Sequence, residues 1–97
     1  MISFGKTFDL MRYRMTLARA QGARDAGNPS VAAELFECAE ILRVELIDRI
    51  SEIEDERVRT VMSLRYVQGL EWEEVAERMY FSLRWVMRLH KRGLEEL

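Results

Sequence analysis

The chain has 97 residues, with 15 Lys and Arg against 17 Asp and Glu, and a net charge of −2. Length and an apolar share of 48% allow one globular domain and exclude two. No apolar run approaches the roughly 18 residues of a membrane span, and the opening MISFGKTFDL lacks an apolar signal core. Cys38 and His90 each occur singly, so an internal disulfide is excluded and a zinc site is not expected. These features imply a cytoplasmic protein. The near-neutral total hides an uneven distribution: residues 1–29 sum to +3, residues 30–56 to −7 and residues 57–97 to +2. Such blocks point to internal pairing or to a surface that is positive only in places.

Spacing is helical nearly throughout, and the reading is all-α with about five helices. Phe4, Phe8, Met11, Met15 and Ala18 recur every three or four residues, with Leu10, Tyr13 and Leu17 widening the stripe. This predicts a first helix over about 4–21, stopped by Gly22, with Gly27-Asn28 and Pro29 as turn chemistry. Ser30 is expected to cap the second helix. Its seam reads Val31, Leu35, Cys38, Leu42, Leu46, Ile50 and Ile53, with Phe36, Val44 and Ile47 as a second apolar strip. Cys38 is expected in that seam as an inert small hydrophobe. Glu34, Glu37, Glu40 and Glu45 form a solvated outer face.

Asp55 suits the N-cap of a third helix carrying Val58, Val61, Met62, Leu64 and Val67, and Gly69 suits the left-handed residue that ends it. A short helix follows over about Trp72–Met79, and Ser82 caps the last one. The organisation expected is a helical hairpin over 1–54, for packing or dimerisation, and a helical unit over 55–97 that ends in two short helices joined by a tight turn, within one compact domain.

Two short helices joined by a tight turn, the second basic, form the pattern of a helix-turn-helix. Val75, Met79 and Phe81 supply the inner side of the first helix and turn, and Ala76 is small where the helices approach. A wheel at ~100° per residue turns Leu83, Val86, Leu89, His90, Gly93, Leu94 and Leu97 toward the core. It turns Arg84, Arg88, Lys91, Arg92 and Glu95 away, with Trp85 and Met87 on the rims. The segment from Ser82 to Arg92 thus holds four cations and no acid in a mildly acidic chain. A helix presenting a cationic ridge suits the DNA major groove, where Arg and Lys bind phosphates and Arg reads guanine edges. Arg78 on the preceding helix is a further phosphate contact, although Glu73, Glu74 and Glu77 share that helix. The plainer reading of any charge run is a solvated face.

Glu56-Arg57, Val61, Leu64-Arg65-Tyr66 and Gly69, then EEVA at 73–76, then Ser82, Val86 and Leu94 are similar to region 4 of the sigma-70 family. The resemblance covers about residues 52–97. Trp72 after the glycine turn and Arg88-Leu89-His90 also resemble small prophage proteins of the ArpU type, which regulate late phage or autolysin genes. The resemblance implies a DNA-binding transcriptional regulator of phage or prophage type, with double-stranded DNA read by helix 82–96 through Arg84, Arg88, Lys91, Arg92, Ser82 and Trp85. RNA polymerase is the second partner it implies, because region 4 also docks there, and Leu83, Trp85 and Met87 would suit a protein surface. Self-association of the hairpin as a homodimer and a DNA-packaging role like that of a phage terminase small subunit are further alternatives. Three departures stand out: Tyr80 where the turn often holds glycine, Glu71 where a Ser or Thr cap is usual, and apolar Leu83, Trp85 and Met87 among the arginines. Tyr80 in a left-handed conformation would cost roughly 1 kcal/mol, so a differently shaped turn is expected.

No Ser-His-Asp set, phosphate loop or metal cluster is present in the sequence, so neither a catalytic residue nor a cofactor or metal is expected. Trp72 is expected in the core and His90 as a packed, hydrogen-bonded histidine. Trp85 is open between rim packing, DNA contact and dimer contact.

Overall fold

The computed structural model describes residues 4–97, with Phe4 described by its backbone alone. Phe4's place in the predicted stripe therefore lies outside the described side chains. Among the described residues five helices form: α1 (Phe4–Asp25), α2 (Pro29–Ser51), α3 (Glu56–Met62), α4 (Trp72–Met79) and α5 (Leu83–Glu96). A π-helical turn, Ser63–Val67, continues α3. No strand is present among the described residues, and no described helix is long and apolar enough to cross a membrane. The molecule is elongated, 42 × 24 × 22 Å along its principal axes.

Helices α1 and α2 form an antiparallel hairpin. α1 runs through the exposed Gly22, four residues beyond the predicted stop, and the chain reverses at Gly27, whose φ of +77° is left-handed. The second helix is capped by Asn28, not Ser30: the Asn28 side chain accepts from the Val31 N–H at 3.4 Å. Pro29 explains the shift, because its missing N–H and fixed φ suit the first helical position.

The hairpin's inner faces differ from those expected. On α1, Leu10 and Ala20 are fully buried, whereas Phe8 and Met15, from the predicted stripe, are exposed. In the first half of α2, Ala32 and Ala39 take the buried positions and their neighbours Val31 and Cys38 are exposed, whereas Leu46 and Ile50 further along are buried as the seam predicts. Cys38 is therefore a surface thiol, not a core residue. Small alanines let the two helices approach closely, so the seam turns by about one residue (~100°) toward them. Val44 and Ile47 are exposed as well, leaving half-buried Phe36 as the covered part of the second strip.

The core joins the hairpin to the C-terminal helices. Leu10, Leu46, Ile50 and Ile53 pack in one cluster with Val58, Val61, Met62, Leu64, Tyr66, Val75, Val86, Leu89 and Leu94. Leu64 and Tyr66 would lie about 200° apart on an ideal α-helix, yet both are buried in the wider π turn. Gly69, at φ +75°, ends this segment as expected. A Cβ there would come within 2.5 Å of the Arg14 guanidinium, so glycine also lets α1 approach the loop. Arg14 donates to the Val67 carbonyl at 3.4 Å and Lys6 to the Leu94 carbonyl at 2.7 Å, tying α1 to the π turn and to the end of α5.

Candidate nucleic-acid interface

Helix α4 occupies 72–79, the predicted span, and α5 starts at the predicted cap, where the Ser82 hydroxyl accepts from the Trp85 N–H at 3.1 Å. Ser82 is thus a structural cap as well as an exposed residue at the helix N-terminus. Glu71 serves in place of Ser or Thr as the cap of α4: its backbone N–H donates to the Glu74 carboxylate at 3.2 Å, half of a capping-box arrangement. Arg65 steadies the same entry. It donates to the Leu70 carbonyl at 2.9 Å and its guanidinium sits 4.9 Å from the Trp72 ring centre.

The turn keeps its left-handed residue. Tyr80 has φ 57° and ψ 35°, the one non-glycine positive φ among the described residues, and its side chain is 95% exposed. Its N–H donates to the Glu77 carbonyl at 3.2 Å and the Phe81 N–H to the Ala76 carbonyl at 3.1 Å. These bonds and half-buried Phe81 hold the turn closed, so the expected change of shape does not occur. The cost of the left-handed tyrosine is borne by the surrounding packing.

Behind α5, Val86, Leu89, Gly93 and Leu94 are buried. A Cβ on Gly93 would lie 2.5 Å from the Met62 sulfur, so α5 rests directly against α3 there. His90 is half-buried, 4.4 Å from the Trp72 ring between centroids. Its Nε2 shares a hydrogen bond with the Tyr66 hydroxyl at 2.6 Å. Burial, helped by the Arg65 charge, pushes the His90 pKa down to about 4, and burial raises that of Tyr66. His90 is therefore the packed histidine expected, and Trp72 is half-buried at the core edge.

On the outer side, Arg84, Arg88 and Lys91 are exposed and form no ion pair with any described residue. Arg92 and Trp85 behave differently. Arg92 reaches the Asp55 carboxylate at 3.1 Å. Trp85 is half-buried against the core, with the Arg57 guanidinium 5.7 Å from its ring centre. Asp55 also caps α3, accepting from the Arg57 N–H at 2.9 Å. Hydrogen bonds from the Arg57 side chain first, then from the Arg57 and Val58 backbone, hold its carboxyl down at about 2. The ridge is thus narrower than the wheel suggested. Arg84, Arg88 and Lys91 stand clear, with Glu95 at their far end, while Arg92 and Trp85 lean toward the start of α3.

Arg78 is exposed on α4 but shares a shallow groove with Glu73, Glu74 and Glu77. The structure does not place it with a cationic neighbour from the predicted set. Arg57 was not among the expected site residues, although it stands in the Glu56-Arg57 phrase, and its exposed guanidinium flanks Trp85. Leu83, which the wheel turned toward the core, is 43% exposed because it opens the first turn of α5, and Met87 on the rim is 39% exposed.

Comparison with protein families matches residues 55–97 to the model of sigma-70, region 4. This part of the chain is accordingly a sigma region 4-like helix-turn-helix, with α4 and α5 as its two helices. The match covers somewhat less than half of the chain and leaves the hairpin outside it. No curated protein and no solved structure matches.

Proposed function

We propose that the protein is a DNA-binding transcriptional regulator of phage or prophage type that lays α5 in the major groove. The observation that carries this reading is the division of α5 into two sides. Val86, Leu89 and Leu94 are sunk in the core, while Arg84, Arg88 and Lys91 are directed outward without internal carboxylate partners. A helix so anchored presents its charges as a fixed row, and the groove admits one helix. Arg84 and Arg88, four residues apart, lie on one face and suit base edges or phosphates. Lys91 suits a phosphate, whereas Arg57, like Arg92, is engaged by Asp55. The region 4 match over residues 55–97 supports DNA as the target of this helix-turn-helix.

The test is a titration of a random-sequence duplex pool, followed by fluorescence anisotropy at several salt concentrations. Wild type is expected to bind with an affinity that falls steeply with salt. Arg84→Glu/Arg88→Glu is expected to lose binding while keeping its helical circular dichroism. Absence of wild-type binding at low salt would overturn the reading.

Exposed Leu83 and Met87 favour a second reading, in which the edge of α5 docks on RNA polymerase. In that case Leu83→Ala/Met87→Ala reduces recovery of polymerase with the purified protein and leaves duplex binding intact.

A further inference from the structure

The hairpin carries two apolar strips that are largely open among the described residues, and they lie on opposite edges; Met11 of the first also touches the core. The inner sides of the two helices are fixed by a narrow cleft lined by Asp9, Arg12 and Tyr13 of α1 and by Leu42, Leu46 and Arg49 of α2. A wheel at ~100° per residue then sets Phe8, Met11 and Met15 on the side of α1 facing away from α2. It sets Ile41, Val44 and Ile47 on the side of α2 facing away from α1. Exposure agrees for five of the six: Phe8 is 57% and Ile41 60% exposed, with Met15, Val44 and Ile47 exposed as well, while Met11 is half-buried. The first strip lines a shallow groove with Gly5 and Thr7.

Their borders carry opposite charge. Arg19 is exposed beside the α1 strip, and Arg12, which also lines the cleft with Asp9 and Glu45, is exposed between the two. Glu37 and Asp48 are exposed beside the α2 strip, and Glu40 on the same side is already engaged by Arg43 at 2.7 Å. A two-fold pairing of α1 with α1 would set arginines against arginines, and a two-fold pairing of α2 with α2 would set acids against acids. Like charges across an interface are disfavoured and opposite charges steer association.

We infer that the protein self-associates head to tail, the basic-edged Phe8/Met11/Met15 strip of one copy packing on the acid-edged Ile41/Val44/Ile47 strip of the next. Because the strips lie on opposite edges, each copy keeps one of them free after pairing. The contact is heterologous and builds a ring or an open array instead of a closed two-fold dimer.

Sedimentation velocity tests this with two variants, each altered only at exposed positions. Phe8→Asp/Met15→Asp disables the α1 strip and Ile41→Lys/Val44→Lys disables the α2 strip. Wild type is expected to grow beyond a dimer as concentration rises, and to fall back at high salt. Each variant alone is expected to be monomeric, and an equimolar mixture to form a one-to-one heterodimer through the two intact strips. Dimerisation of either variant alone would overturn the proposal in favour of a two-fold contact. A wild-type monomer at every concentration, or a mixture that stays monomeric, would overturn it altogether. Arg12→Glu/Arg19→Glu keeps every apolar residue and is expected to weaken assembly at least tenfold; unchanged assembly would contradict the charge argument.

Discussion

Helices α1 and α5 both carry a regular apolar stripe in the sequence, yet the two stripes end in opposite places. In α5 the stripe is buried: Val86, Leu89 and Leu94 join the core, and the cations face outward. In α1 the regular stripe at Phe8 and Met15 faces solvent, and the residues that seemed only to widen it, Leu10, Tyr13 and Leu17, turn inward. Periodicity reports that a helix has an apolar side. It does not report which of two competing sides the rest of the chain covers. In α5 the choice was forced, because the opposite side is almost entirely charged. In α1 two apolar sides compete, and the alanines of α2 decide between them.

That contrast predicts unequal responses to similar substitutions. Leu89→Ala in α5 should cost ~2–5 kcal/mol of folding stability, because it empties a fully buried position. Phe8→Ala in α1 removes a larger side chain and should leave monomer stability within about 0.5 kcal/mol. Urea denaturation of both at low protein concentration measures the difference. Similar losses would mean that Phe8 is covered within the monomer.

The second expected effect concerns acid. With the His90 pKa depressed to about 4 in the fold and near 6.5 when unfolded, the unfolded chain binds the extra proton first as pH falls. The stability from neutral His90 is therefore full above about pH 6.5 and declines as pH falls toward about 4. The Asp55 contribution is lost in a lower window, as pH falls from 3.8 through about 2. Urea midpoints across pH should show the two windows separately, and His90→Gln should flatten the upper one while leaving the lower. The smallest effect is at the turn. Tyr80→Gly relieves a left-handed residue with an exposed side chain and should stabilise the fold by up to about 1 kcal/mol. A lower melting temperature would show that the tyrosine makes a stabilising contact.

The C-terminal half was largely readable because its signals are local and strong. Asp55 and Ser82 cap where their side chains reach the next N–H groups, Gly69 is left-handed, and α4 spans the predicted residues. The hairpin was less readable because its outcome depends on pairing. Asn28 displaced Ser30 as cap through Pro29, and Cys38 fell one residue from the seam that Ala39 occupies. The π turn left no sequence signal that spacing could detect. Within the candidate interface, Arg84, Arg88 and Lys91 followed from the wheel. Arg92 is exposed and Trp85 sits on the rim as the wheel placed them, but their contacts with Asp55 and Arg57, over twenty residues away in sequence, were not readable from it.

The most direct test is the salt dependence of duplex binding in single alanine variants of Arg84, Arg88, Lys91 and Arg92. A side chain that contacts phosphate takes about one unit from the slope of log affinity against log salt when removed. The account predicts that reduction, or a loss of ~1–3 kcal/mol where a base is read, for Arg84, Arg88 and Lys91. It predicts a smaller change for Arg92, which is engaged by Asp55. Equal slopes in wild type and all four variants would contradict a DNA-facing α5.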